Sequence, residues 1–91
     1  MDLPEVNRAL ASACEIVMEK LDHKYDIVPN RTGLQSPDML IARFEFRQNN
    51  EYKSGIGFII NIKDATFDDI VDRAEYLLTQ YCKREFGTLK S

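Results

Sequence analysis

The chain has 91 residues, of which 44% are hydrophobic and 30% charged, and its formal net charge is −3. This length favours one domain, because two would each fall below the size at which an unaided core is stable. The composition is typical of a globular protein, and the mild negative charge argues against a nucleic-acid coat or a polybasic membrane binder. We therefore expect residues 1–91 to form a single domain.

The first predicted element is an amphipathic helix from about Leu3 to Leu21. Asp2 and Glu5 have the spacing of a capping box, and Pro4 falls in the first turn, where its missing N–H costs nothing. At about 100° per residue, one face of this helix is apolar. Its members are Val6, Ala9, Leu10, Ala13, Val17 and Leu21.

The next segment, residues 23–38, has no clear period. Residues 25–28 fit a short strand, which Pro29 would end or confine to a sheet edge. Residues 30–33 (NRTG) and 36–38 (SPD) are turn sequences. We expect a partly ordered loop with one weak edge strand.

From Met39 to Lys63 apolar and polar residues alternate, which predicts a long β-hairpin with one apolar face. The residues assigned to that face are Leu40, Ala42, Phe44, Phe46, Tyr52, Ser54, Ile56, Phe58, Ile60 and Ile62.

The register of this hairpin follows from its faces. A two-residue loop at residues 49–50 would set Phe46 opposite Lys53 and so pair core positions with solvent positions. A one-residue slip inverts a whole face, so we expect a three-residue connection that sets Phe44 opposite Ser54 or Ile56. An Asn in the left-handed region is the expected turn residue.

The last predicted element is a helix that begins after Thr66 and ends at Gly87. Thr66 and Asp69 have capping-box spacing, while Lys83 and Arg84 place positive charge at the C-terminal end. The apolar face of this helix recurs at helical spacing. Its members are Phe67, Ile70, Val71, Ala74, Leu77, Leu78 and Tyr81.

These elements predict an α+β fold of two layers in the order α-β-β-β-α, with a weak first strand. Both helices are amphipathic and the hairpin has one apolar face. The natural arrangement packs both helices on the same face of a small antiparallel sheet.

The opposite face of the hairpin is the predicted binding surface. Gly55 and Gly57 occupy successive outward positions, where another backbone or a planar ring could approach closely. On the last helix, Tyr76 falls opposite Phe67 and should face solvent, where tyrosines are enriched at binding hot spots. The candidate partner-binding residues are Ile41, Arg43, Arg47, Lys53, Gly55, Gly57, Ile59, Asn61 and Tyr76.

The leading functional hypothesis is a non-catalytic protein-binding module that acts as an inhibitor, adaptor or assembly factor. The sequence has no GxSxG, HExxH or glycine-rich phosphate loop, and its one histidine, His23, has no second ligand at helical spacing. We therefore expect no enzyme activity, no cofactor and no metal. The partner would be another protein or, through the outer sheet face, a second copy in a homodimer.

The origin and location expected for such a module follow from its general type. Small acidic stand-alone domains are frequent among phage-encoded inhibitors of host machinery, so a phage origin and a host target belong to the hypothesis. The longest apolar run is far below the roughly 20 residues of a bilayer span, and the first residues resemble no secretory signal. We expect a cytoplasmic protein without a membrane partner.

The first alternative is a nucleic-acid-binding domain that uses the cations of the outer sheet face. The predicted element order, a helix followed by three strands and a second helix, resembles that of the double-stranded RNA-binding domain. In that family the last helix begins with lysines that contact phosphates. The resemblance is one of order alone, because acidic residues stand at that place and would repel phosphates. They are Asp64, Asp68, Asp69 and Asp72.

The second alternative is a small enzyme or ligand-binding protein. It would need a pocket between the hairpin and residues 25–38, near His23 or Tyr25. The acidic helix faces also leave open a partner with a basic surface.

Overall fold

The computed structural model describes residues 2–87, so Met1 and residues 88–91 of the predicted domain lie outside the described part. The predicted α+β fold is confirmed, in the order α-β-β-β-β-α. The strand at residues 33–36 is additional, since turn sequence was expected there. The elements are α1 (Leu3–Lys20), β1 (Asp26–Pro29), β2 (Gly33–Ser36), β3 (Met39–Gln48), β4 (Glu51–Asn61) and α2 (Phe67–Phe86).

Capping side chains define where both helices begin. The Asp2 carboxylate accepts the N–H of Glu5 at 3.0 Å. At α2 the Thr66 hydroxyl accepts the Asp69 N–H at 3.2 Å, and the Asp69 carboxylate accepts the Thr66 N–H at 3.0 Å. The bonds from the Thr66 backbone and side chain hold the pKa of Asp69 below its usual value. Gly87 follows α2 with a φ of 83°, so the predicted stop and the capping box at Thr66 are confirmed, and at α1 the N-cap bond to Asp2 is present.

The sheet is built around β3. β4 pairs with β3 along its whole length in antiparallel register. β1 pairs with residues 44–47 of β3 and β2 with residues 39–41, so the two short strands share the second edge of β3. Between them the Asn30 N–H donates to the Arg43 carbonyl at 2.6 Å. The sheet therefore has one interrupted edge and one unbroken edge, β4.

One face of the sheet packs against both helices to form the core. An aromatic cluster closes one end of this core, where the Tyr81 ring lies 5.3 Å from Phe46 and the Tyr81 hydroxyl is hydrogen-bonded to Ser54. Phe86 stacks on Tyr25 with ring centroids 4.4 Å apart. The largest fully buried side chains are Phe44, Phe46, Leu10, Ile27, Leu40, Ile60, Ile70 and Leu78.

The hairpin has the predicted pairing of inner faces, but its turn differs from the expected one. Phe44 lies opposite Ile56, as predicted. The turn has two residues, Asn49 and Asn50, with φ of 53° and 65°, and not three. Two positive φ values are those of the tight hairpin turn whose twist matches the flanking strands. The expected three-residue connection is therefore wrong.

A β-bulge at Lys53 supplies the extra residue that the longer turn was expected to supply. Pairing passes from Arg47–Tyr52 to Phe46–Ser54, which leaves Lys53 without an opposite residue. The bulge resets the alternation, so Tyr52 lies on the outer face and is 60% exposed. Its predicted place among the inner-face residues is wrong for this reason.

Candidate functional site

The outer face of the sheet, defined as the face of β3 and β4 that points away from the helices, carries the predicted sheet residues. Seven of the eight are exposed, and Ile41 is half-buried. Apolar side chains stand at one end of this face, charged ones in the middle, and an aromatic ring at the other end. The facing pairs are, in order, Met39–Asn61, Ile41–Ile59, Arg43–Gly57, Glu45–Gly55 and Arg47–Tyr52.

The two outward glycines make room for side chains of the same hairpin. A Cβ placed on Gly55 would lie 2.8 Å from the Tyr52 hydroxyl, so the tyrosine ring extends across this glycine. A Cβ placed on Gly57 would lie 3.4 Å from Cγ of Arg43. Aromatic side chains are a known cover for glycine in sheets. The space above the glycines is thus shaped by Tyr52 and Arg43.

An open hollow of about 260 Å³ lies between these side chains. Small-molecule sites usually enclose roughly 300–1,000 Å³. The hollow suits the insertion of one side chain from a partner better than the enclosure of a ligand. Its lining residues are Asn30, Arg43, Phe44, Glu45, Tyr52, Gly55, Ile56 and Gly57.

Carboxylates on the same strands pair with two of the predicted cations. Arg47 Nε lies 3.2 Å from Glu45 Oε2, and Lys53 Nζ lies 3.6 Å from Glu51 Oε2. Such exposed pairs contribute only about 0–1 kcal/mol to stability, but they reduce the positive charge offered to a partner. Within residues 2–87, Arg43 has no carboxylate within 4.0 Å. Arg43 is therefore the cation of this face most available for binding.

Three residues of the surface were absent from the sequence-based set. Glu45 has the same strand parity as Arg43 and Arg47, and that signal could have placed it on the outer face. Tyr52 carries no such signal, because its position depends on the bulge. Asn30 reaches the hollow through its backbone bond to β3, which is a long-range contact.

Tyr76 is exposed as predicted but does not join the outer face. It lies on α2, in the helical layer, and the core separates it from the outer face of the sheet. Its side chain is 54% exposed, and the Arg73 guanidinium carbon lies 5.7 Å from the ring centroid. Of the nine predicted residues, eight therefore lie on one surface, and Tyr76 lies on the opposite side of the domain.

A second hollow, of about 400 Å³, lies where β4 leads into α2. Each hollow joins the hairpin to residues 25–38, where the ligand-binding alternative places a pocket, but neither is lined by His23 or Tyr25. Tyr25 instead stacks on Phe86. The second hollow is lined by Pro37, Asp38, Ile62, Lys63, Asp64, Ala65 and Ile70.

The two cysteines are free and buried. Burial raises the pKa of the Cys14 thiol to about 12, with a further contribution from the charge of Glu15. Burial likewise raises the pKa of Cys82 to about 11. Both side chains are therefore protonated apolar groups of the core near neutral pH.

Comparisons with known proteins add no functional information. No protein-family model, curated protein or solved structure matches the chain. Within the described residues, no cluster of three or more His, Cys, Asp or Glu side chains is placed to hold a metal ion. Neither described helix is long and apolar enough to cross a membrane.

Proposed function

We propose that the chain is a non-catalytic protein-binding module, acting as an inhibitor, adaptor or assembly factor, that contacts another protein through the outer face of its sheet. The observation that carries this proposal is the hollow between the exposed Tyr52 ring and Arg43, whose guanidinium pairs with no carboxylate among residues 2–87. Tyrosine and arginine are enriched among the residues that dominate binding energy. A phage origin, a host target and a cytoplasmic location belong to the same proposal.

The geometry indicates the chemistry of the partner. Arg43 is favoured to bind a carboxylate, because its own strand neighbours leave it without one. Its side chain already lies across Gly57, so less rotamer freedom is lost when it binds. An apolar or aromatic side chain of the partner would fill the hollow against Tyr52. A partner surface with an acidic residue beside an apolar one therefore fits this face.

The test is a pull-down from source-cell lysate treated with nuclease. Wild type should retain a discrete protein, and Arg43→Glu should lose it because the charge at the centre of the face is reversed. The matched control is Arg8→Glu, the same change at an exposed position of α1, which should retain the partner. Circular dichroism checks that both variants keep their secondary structure. Retention by Arg43→Glu, or loss of the partner on nuclease treatment, contradicts the proposal.

A second candidate, binding of single-stranded nucleic acid, is favoured by one observation. Tyr52 brings an exposed aromatic ring to the outer face beside Arg47, and bases stack on such rings. The carboxylates paired with Arg47 and Lys53 count against it. This candidate predicts oligonucleotide binding that falls steeply with salt and is lost in Tyr52→Ala. Absence of binding at low salt would remove it.

A further inference from the structure

The two edges of the sheet differ in how well they are protected from pairing with another strand. The β1–β2 edge is short and interrupted, with Pro29 at the break and Arg31 at a φ of 52°. β4 is an unbroken strand of 11 residues, and no other strand among residues 2–87 pairs with its outer edge. Residues 54–62 contain no charge. Edge strands are usually protected by charge, proline or shortness, so this part of β4 is unusually open.

The direction of the backbone groups on β3 follows from one hydrogen bond. The Arg43 carbonyl accepts the Asn30 N–H at 2.6 Å and so points toward the β1–β2 edge. Successive residues of a strand direct their N–H and C=O groups to alternate sides. Ala42 and Phe44, which flank Arg43, therefore direct their N–H and C=O groups toward β4.

The same alternation identifies the groups on the open edge of β4. The even-numbered residues Ile56 and Phe58 face Phe44 and Ala42 and bond to β3. The bond from the Ile62 N–H to the Asp38 carbonyl, at 2.8 Å, continues this pattern. The odd-numbered residues between them direct their N–H and C=O groups to the open edge. These residues are Gly55, Gly57 and Ile59.

We propose that this open edge pairs with β4 of a second copy of the chain, antiparallel and around a two-fold axis at Gly57. In this register Ile59 of each copy faces Gly55 of the other. Ile59 is 57% exposed, and the Tyr52 ring that extends across Gly55 gives it an aromatic surface to pack against. On the inner face Ile56 faces Phe58, and both are partly buried at the edge of the core. The two cores would then become continuous.

Charge and length favour a second copy as the occupant. Residues 54–60, which oppose one another in this register, carry no charge, so no like charges face each other across the axis. Glu51 and Lys63 lie six residues on either side of Gly57, so each end brings a carboxylate near an ammonium group of the other copy. In this register residues 54–60 pair with one another, and seven residues at about 3.3 Å each extend about 23 Å. The longest dimension of the domain is 35 Å, so the paired stretch corresponds to about two thirds of that length.

Edge pairing leaves Arg43, on the central strand, uncovered, so it can be tested separately from the proposed function. Arg43 stands on the central strand, so Arg43→Glu should abolish partner capture without changing the self-association of the chain. Because Gly55, Gly57 and Ile59 belong both to the open edge and to the candidate binding surface, edge variants are read by the mass of the chain and not by partner capture. Failure of one proposal is thus distinguishable from failure of the other.

The direct test combines sedimentation equilibrium with amide hydrogen exchange measured by NMR. Wild type should show about twice the monomer mass of 10.5 kDa. The amides of Gly55, Gly57 and Ile59 should exchange slowly in the dimer and fast on dilution, whereas the Ile56 and Phe58 amides stay protected throughout. A monomer at concentrations up to about 1 mM, or a dimer whose odd-numbered amides exchange freely, would overturn the proposal.

Variants locate the interface. Ile59→Lys places a charge on the open edge and should weaken association at least about tenfold. Its matched control is Ile16→Lys, the same change at an exposed position of α1, which should leave the dimer unchanged. Gly57→Pro is a second edge variant, which removes an N–H that makes no bond within the monomer. A dimer of wild-type affinity in both edge variants, with unchanged circular dichroism, refutes the assignment.

Discussion

Replacing Tyr52 by alanine tests the β-bulge on which the shape of the candidate surface depends. Strict alternation along the strand places Tyr52 on the inner face with Phe46. With the bulge at Lys53 it lies on the outer face, where it is 60% exposed, while Phe46 is fully buried. The stabilities of Tyr52→Ala and Phe46→Ala should therefore differ strongly.

The expected sizes follow from burial. Complete burial of a large apolar side chain contributes about 1.5–3 kcal/mol, and Tyr52 is less than half buried, so Tyr52→Ala should cost about 1 kcal/mol. Phe46→Ala also leaves a cavity beside Tyr81 and should cost about 3–5 kcal/mol. Small domains have a free energy of unfolding of about 5–15 kcal/mol. Tyr52→Ala should therefore stay folded, and Phe46→Ala should be close to unfolding.

The assay is urea unfolding followed by circular dichroism, with the m-value compared between variants. In a thermal scan of the same variants, a loss of about 1 kcal/mol in the free energy of unfolding would lower Tm by roughly 4–8 °C in a domain of this size. A loss of 3 kcal/mol or more in Tyr52→Ala would place its ring in the core. That result would contradict the assignment of the bulge to Lys53, and with it the described shape of the hollow.

Three further predictions concern groups with unusual surroundings. The buried Thr79 hydroxyl has no hydrogen-bond partner within the described part of the chain. Thr79→Val should therefore leave the free energy of unfolding unchanged or raise it by up to about 1 kcal/mol. A decrease of more than about 1 kcal/mol in that free energy, measured by thermal unfolding, would contradict this. The raised pKa values of Cys14 and Cys82 predict slow labelling by a thiol reagent at about pH 8 in the folded protein and fast labelling in urea, and fast labelling without urea would argue against burial. The lowered pKa of Asp69 means that its stabilising contribution is fully present above the ordinary carboxyl pKa of 3.8 and is lost as pH falls through the lower pKa of the folded state. The urea midpoints of wild type and Asp69→Asn, which lacks the ionisable carboxyl, should therefore converge at low pH, and a gap that stays constant would exclude this linkage.

The sequence predicted the hairpin register because the two faces differ so clearly. A slip of one residue would bury Lys53 and expose Phe44, and that cost is large enough to decide the pairing. It did not predict how the chain achieves the register, since an extra residue in the turn and an extra residue in the strand give the same pairing of inner faces. The position of Tyr52 depends on that choice, so it was assigned to the wrong face.

The additional strand β2 shows a second limit of sequence reasoning. Gly33–Ser36 has the residues of a turn and little strand propensity. It forms a strand because residues 39–41 of β3 offer backbone groups on that edge. The helices were predicted closely because their caps and apolar faces are local signals. The contacts of β2 and Asn30 are not local, and no pattern in the sequence indicates them.

The break between β1 and β2 sets a limit on how large an assembly of this chain could grow. A sheet with two open edges can add copies at both sides and extend into a fibre. Here the edge that carries Pro29 and Arg31 presents two four-residue strands separated by a gap, which is a poor template for another strand. A pair joined through β4 would expose only such broken edges at both ends and would stop at two copies. Making residues 29–32 continuous with the flanking strands would remove that stop and turn a closed pair into a growing polymer.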